Sequence, residues 1–322
     1  MDKNKTMRII YGDGTLGLTG SRFHYQFSYE SGSLESMKID GKEWLYRPIY
    51  PTYWRATTDN DRGNGFSYRS AQWLGADMFP RCIDIDLEVD GTHVDQLPTA
   101  PYNNHFSNHE QVSEVGMTFS YQTATTPAAQ TIVKYTVTAD GQIKVQAYFG
   151  GRKGLPELPL FGLRMIMPTA ADKFAYDGLS GETYPDRMAG GVPGHYEVEG
   201  MPLTPYLVPQ EMGMHMQTTN LTISRHHTLN NADHASTPFC LQVTEDSQPF
   251  NFSLLPYTSE ELENATHIEE LPPLRRSVLV IAGAVRGVGG IDSWGSDVDP
   301  AFHVSAEDDH QFSFIIQPAP VD

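Results

Sequence analysis

Cysteine is nearly absent. Cys82 and Cys240 are the only two in 322 residues. Neither sits in a CxxC pair or a Cys…His spacing, which excludes a disulfide framework and a cysteine zinc site. They read as reduced structural thiols of a cytoplasmic protein. Basic residues are also few: 22 Lys and Arg face 40 Asp and Glu, a formal charge of −18. Such a balance repels phosphate backbones and excludes nucleic acid as a partner, but does not penalise a neutral sugar. No apolar run reaches membrane-spanning length, and Met1–Ile10 lacks the apolar stretch of a signal peptide. No membrane partner is expected, and the chain reads as soluble and cytoplasmic. Helical signal is thin. Thr258 with Glu261 spells a capping box opening a short helix through Asn264, and Ser70–Met78 reads as a helical turn. There is no βα alternation, which excludes a barrel, and no repeat, low-complexity tract or linker.

What is present is alternation. Phe23, Tyr25 and Phe27 face one way, and Arg22, His24 and Gln26 the other. Ile83, Ile85, Leu87 and Val89 alternate with Asp84, Asp86 and Glu88, and Val115, Met117, Phe119 and Tyr121 with small polar residues. Period-two patterning marks half-buried antiparallel strands. Residues 131–138 and 142–149 flank Ala139-Asp140-Gly141, a hairpin whose Asp-Gly pair supplies the positive φ of a tight turn. Further strands are expected at 7–11, 34–39, 160–167, 219–224, 239–244, 250–255, 277–284 and 311–316. Residues 50–80 and 176–216 read as long loops, where a β scaffold usually meets its partners. The fold expected is all-β, one large antiparallel β-sandwich over residues 1–322.

Four polar segments interrupt the alternation. WRATTDNDRGNGF, Trp54–Phe66, sets Asp59, Asn60 and Asp61 between Arg55 and Arg62. Such a cluster ties a loop to itself or a neighbour through charge-assisted hydrogen bonds, or touches a ligand. The later ligands of an EF-hand loop are missing, so no metal site is read here. Gly63, Asn64 and Gly65 follow as a permissive run. GLSGETYPDR, Gly178–Arg187, is a turn whose Glu182, Asp186 and Arg187 can pair among themselves. PYLVPQEMG, Pro205–Gly213, has Gln210 and Glu211 at its polar centre, suited to a structural role or a subunit contact. GVGGIDSW, Gly287–Trp294, turns on three glycines and sets Trp294 near Asp292. That tryptophan either plugs a core or offers its indole face to a sugar. His226, His227 and His234 lack a recognised ligand spacing and read as a polar loop. The pairs Glu260–Glu261 and Glu269–Glu270 read as solvated faces, because sequence neighbours do not face each other on a helix or a strand.

In this order and spacing, the four segments resemble the C-terminal domain of glycoside hydrolase family 2 β-galactosidases. Residues 250–272, FNFSLLPYTSEELENATHIEELP, resemble the same domain between the third and fourth segments. The similarity runs from about Gly17 to about Pro318. In most of that family the domain ends a far longer chain. Here it begins near Met1, as in the two-gene β-galactosidases of lactic acid bacteria.

The resemblance implies a galactose mutarotase-like supersandwich. It implies a non-catalytic small subunit, with both catalytic glutamates on a large barrel-bearing subunit. The activity implied is retaining hydrolysis of terminal β-D-galactosides such as lactose, with transglycosylation. Mg²⁺, with Na⁺ as a second ion, is implied on the large subunit, and no cofactor in this chain. In the family the DND segment meets the barrel, so Arg55, Asp59, Asn60 and Asp61 are expected at an interface or in structural roles. Glu182, Asp186, Arg187, Gln210 and Glu211 are expected likewise. Gly63, Asn64 and Gly65 are implied as a mobile loop at the active-site mouth, and Trp294, beside Asp292, as a sugar platform. Thr57 replaces a family proline and predicts a less rigid loop entry. Thr183 and Met212 replace family asparagines. Two rivals stand beside this reading. An aldose-epimerase-like enzyme needs a His and a Glu on the sugar's ring and anomeric oxygens, and no motif places that pair. A carbohydrate-binding scaffold is usually smaller.

Overall fold

The computed structural model of the chain describes residues 6–99, 110–234, 237–292 and 295–319. In chain order the strands begin β1 (Met7–Tyr11), β2 (Thr15–Thr19), β3 (Phe23–Ser28), β4 (Ser33–Ile39), β5 (Lys42–Glu43) and β6 (Tyr50–Thr52). Three short helices follow, α1 (Asp59–Asn64), α2 (Phe66–Arg69) and α3 (Gln72–Met78). Then come β7 (Arg81–Val89), β8 (Thr92–His93), β9 (Gln111–Val112), β10 (Glu114–Gln122), β11 (Gln130–Thr138), β12 (Ile143–Gly150) and β13 (Leu160–Met167). β14 (Lys173–Leu179), β15 (Pro193–Glu199), β16 (Met214–Thr218), β17 (Asn220–Arg225), β18 (Phe239–Glu245) and β19 (Phe250–Leu255) continue the series. Helix α4 (Ser259–Asn264) and strands β20 (Ser277–Val285) and β21 (His310–Pro318) complete it.

The strands form three antiparallel sheets. The largest has the order β15-β14-β17-β18-β21-β12-β11-β10-β7-β8. A six-stranded sheet, β5-β4-β3-β2-β1-β9, and a five-stranded sheet, β16-β19-β20-β13-β6, lie against it. Rings mark the contact layer. Phe27 of β3 meets Phe119 of β10 and Tyr135 of β11 at centroid distances of 6.1 and 5.6 Å. Phe161 of β13 meets Phe149 of β12 and Phe312 of β21 at 5.7 and 5.3 Å. One cluster of buried apolar side chains joins all three sheets, from Met7 to Ile316. This is the expected all-β sandwich, with alternating side chains interdigitating between sheets.

The Asp-Gly hairpin forms as expected: β11 and β12 pair from Val137↔Ile143 outward, and Gly141 has φ 88°. Thr258 and Glu261 make their capping box and open α4. Two expectations are corrected. The stretch 50–80 is not one long loop: the helical turn expected at Ser70–Met78 forms as α3, and β6, α1 and α2, each six residues or fewer and too short to show a period, precede it. The stretch 176–216 holds the end of β14, all of β15, the start of β16 and a 3₁₀ turn at Pro185–Gly190. β15 begins Pro-Gly and is an exposed edge strand, so it shows neither the apolar alternation nor the composition of a strand interior. No helix among the described residues is long and apolar enough to cross a membrane.

Candidate functional site

The four polar segments come from distant parts of the chain, and the fold brings them together. Thr58 caps α1 by accepting from the Asp61 backbone N–H, while the Asp61 carboxylate accepts from the Thr58 N–H. The DND run is therefore a helical turn and not the loop expected. Its signal in the sequence is Thr-x-x-Asp, a capping box with aspartate in place of the usual Glu or Gln. The cap aims Asp61 inward. Its carboxylate takes Arg55 Nη1 at 2.6 Å and Arg286 Nη1 at 2.9 Å. All three side chains are almost completely buried.

Arg286 is the residue that sequence reasoning missed. It is one charge at the end of an apolar strand, immediately before the fourth segment. It also donates Nε to Glu157 at 2.5 Å and Nη2 to Asp297, and its guanidinium lies 4.0 Å from the Phe66 ring centroid. Buried guanidinium groups persist when carboxylates and a ring face satisfy them together.

From this centre each segment is tied to another. Arg55 Nη2 donates to the Gly287 carbonyl at 2.9 Å, and Asn60 Nδ2 to the Val288 carbonyl at 3.1 Å. Asp186 accepts from the backbone N–H groups of Val288 and Gly289, at 3.1 and 2.8 Å. Arg187 donates to the Gly289 carbonyl. Glu182 accepts from Thr204 at 2.8 Å. The expected pairing of Glu182, Asp186 and Arg187 among themselves is thus corrected, since each reaches another partner and only a 4.0 Å Arg187–Asp186 approach remains. Gln210 accepts from the Asp59 N–H at 2.9 Å, and Arg62 donates to the Pro209 carbonyl at 3.1 Å. Thr57 does not loosen the segment. It is buried, and its N–H and hydroxyl both bind the Glu263 carboxylate, at 2.6 and 2.8 Å. Met212 packs with Ala56, Leu255, Tyr257 and Leu262.

The glycine run divides by role. Gly63 lies within α1, whereas Gly65 carries the positive φ, 78°, that ends the helix. Asn64 donates to Asp297 at 3.2 Å and accepts from the Phe66 N–H. A side chain at Gly295 would come within 2.7–3.1 Å of the Gly63–Asn64 backbone, so the two loops touch. Asp292 accepts from the N–H and hydroxyl of Ser296, at 3.1 and 2.5 Å, closing its own loop. Trp294 lies outside the described residues. Elsewhere, Glu260 and Glu261 are not a solvated face. Glu260 pairs with Arg164 at 2.8 Å, and Glu261 caps α4 and pairs with Arg276. His226 pairs with Asp172 at 2.5 Å.

Glu211 is the titrating member of the cluster. It is buried and accepts from the Tyr184 hydroxyl at 3.3 Å. Burial pushes its carboxyl up to about 7, with Arg55 pulling the other way. A carboxyl raised on folding stabilises the fold at acid pH, and that contribution is lost as pH rises through about 7. Glu211→Gln is expected to flatten the fall in unfolding midpoint between about pH 4.5 and 7 in denaturant titrations. An unchanged pH profile would remove Glu211 from this role.

Known proteins match the chain over nearly its whole length. Residues 19–316 match the family model described as β-galactosidase small chain. The β-galactosidase small subunit of Latilactobacillus sakei is 56% identical over 97% of this chain and 98% of that protein. β-Galactosidases of Halalkalibacterium halodurans and Streptococcus thermophilus are 32% and 30% identical over 96% and 97% of this chain. The chain spans only 28% of the length of each of those two. Among solved structures, a galactose mutarotase-like protein from Lactobacillus casei is similar at TM-score 0.44 and 13% identity, covering 94% of this chain and 99% of that one. With a family match over nearly its whole length, the chain belongs to the β-galactosidase small-chain family.

Proposed function

We propose that the chain is the non-catalytic subunit of a two-chain cytoplasmic β-galactosidase of glycoside hydrolase family 2. It completes the active site of a larger, barrel-bearing chain that carries both glutamates and hydrolyses terminal β-D-galactosides such as lactose with retention. One observation carries this reading. The four interlocked segments hold or adjoin Tyr68, Val192, Leu207, Val208 and Ile291, five of the twelve large apolar side chains exposed among the described residues. Apolar side chains exposed along segments that one ion cluster ties together suit a face that another chain covers. Most of each single-chain relative named above has no counterpart in this chain, and a second chain would supply it. In this reading Trp294 is the sugar platform, with Asp292 shaping its loop. Gly63, Asn64 and Gly65 edge the pocket mouth, and Mg²⁺ and Na⁺ belong to the larger chain.

Leu207→Asp tests the docking face. Leu207 is 87% exposed, so the substitution is expected to leave the chain's own unfolding midpoint unchanged. A charge buried without a partner at an interface costs roughly 2 kcal/mol or more, about thirtyfold in Kd. Co-elution with the larger chain should therefore be lost at micromolar concentration. Undiminished association would place the partner on another face.

A further inference from the structure

We infer that the cleft between β20 and residues 300–310 is a second saccharide site, one that takes a neutral mono- or disaccharide. It goes beyond the docking role and does not require the larger chain. The cleft holds about 760 Å³, a volume in the range of small-molecule sites.

Its floor is built by irregular backbone. On β20, Ala282 pairs with Gly162 and Ala284 with Phe161, leaving Gly283 without a partner on β13. Bulges of this kind redirect a strand and are frequent beside binding sites. Gly283 has to be glycine, because a Cβ there would meet Phe312 at 2.5–2.6 Å. The same sheet has a second irregularity two strands away, beside the lining residue Met216. β16 shifts register between His215 and Thr218, and Gln217 within that shift holds φ 54°. Asn251 clamps both irregularities. It accepts from the Gln217 N–H at 3.2 Å and donates to the Ala282 carbonyl at 3.2 Å. Left-handed backbone at a non-glycine residue is costly, and such residues gather at ligand sites.

The lining has the chemistry of a polyol site. Asp308 is exposed, and its carboxylate makes no hydrogen bond to the described residues. Glu307 uses Oε1 on the Gly154 N–H at 2.7 Å and keeps Oε2. Ser305 accepts from the Glu307 N–H at 3.2 Å and keeps its hydroxyl proton. Sugar hydroxyls donate and accept, so this mixture matches them. Leu155, Ala284 and Val285 supply apolar surface for C–H faces. The carboxylates of Glu307 and Asp308, neither paired with a cation among the described residues, repel anions, phosphorylated sugars included. Among the described residues no three His, Cys, Asp or Glu side chains are grouped to hold a metal ion. Glu157 links the cleft to the ion cluster, since its Oε1 takes Arg286 Nε at 2.5 Å and His303 Nδ1 at 3.1 Å.

The test is a titration of the ¹⁵N-labelled full chain with lactose and with galactose, following the amides of Ala284, Ser305 and Asp308. Saturable shifts at these amides are expected, with Kd on the order of 1–10 mM. Ala284→Trp fills the floor and should weaken binding at least tenfold. Asp308→Ala changes only an exposed side chain and should weaken it about threefold to tenfold without touching the fold. Galactose 6-phosphate should bind at least tenfold more weakly than galactose. Absent shifts, equal affinity in both variants, or equal affinity for the phosphorylated sugar would overturn the site. Repeating the titration on the assembled two-chain protein separates a ligand site, which persists, from a subunit contact, which is lost and would overturn the assignment. Binding is read without turnover, so failure here leaves the docking role standing, and failure of the docking role leaves this result standing.

Discussion

The purified chain alone is expected to release no measurable glucose from lactose, and mixing it with the larger chain is expected to bring turnover to the level of a complete enzyme. Retaining glycosidases need two carboxyl groups about 5–5.5 Å apart, open to the sugar and free to act as nucleophile and acid. The carboxylates of the two buried arginine clusters are already committed. Asp61 and Asp297 both grip Arg286, and Asp77 and Glu260 both grip Arg164. A carboxylate held by a guanidinium and closed off from solvent is a poor nucleophile and cannot reach a sugar. Activity of the chain by itself, in a preparation free of host enzyme, would falsify the assignment. In the reconstituted enzyme Trp294→Ala should raise KM about tenfold to hundredfold, as expected for loss of about 1–3 kcal/mol of stacking. Assembly and melting temperature should not change. A sharp fall in melting temperature with normal KM would make Trp294 a core residue.

Asp61→Ala is expected to destabilise the chain by about 3–5 kcal/mol. The carboxylate is 1% exposed and sits between Arg55 and Arg286. Removing it leaves two guanidinium groups facing each other out of water, with the Arg55 group deprived of its carboxylate partner. The cap of α1 is lost with it. Denaturant unfolding of the purified variant measures the effect, and a loss below about 1 kcal/mol would show an ordinary surface-like pair. The wild-type pH profile gives a second reading. Burial would raise the Asp61 carboxyl, but the Arg55 and Arg286 guanidinium groups outweigh it and hold it below its ordinary value. A depressed carboxyl stabilises the fold above the ordinary carboxylate range, and that stability is lost as pH falls through the folded value. The acid limb should therefore be shallower in Asp61→Ala than in wild type.

Part of the site is legible in the amino-acid sequence. Asp59, Asn60, Asp61, Asp186, Arg187, Gln210 and Glu211 stand out because charged and amide residues concentrated in glycine-bearing segments do not suit strands. Their partners are not legible. Arg286 and Glu157 sit alone at the ends of apolar or proline-rich stretches, and nothing local marks them. The pairing expected inside Gly178–Arg187 survives only as the 4.0 Å Arg187–Asp186 approach, for the same reason. Proximity along the chain suggests Glu182 with Arg187, while the backbone N–H groups that Asp186 accepts from lie about a hundred residues away.

The amino-acid sequence by itself determined the strands that alternate, the Asp-Gly hairpin, the cap of α4 and hence the all-β class. Each of these is a local property, set by period-two burial, a positive φ or a side chain reaching three residues along. Only the tertiary structure decided that the four polar segments meet and that Asp61 stands between two buried arginines. It alone placed the bulge at Gly283 on the floor of a cleft. Those outcomes depend on sheet order and register, which join residues more than a hundred positions apart, such as Leu160 with Val285. The cost of burying an arginine is met only where several chain segments converge, and no local pattern carries that information.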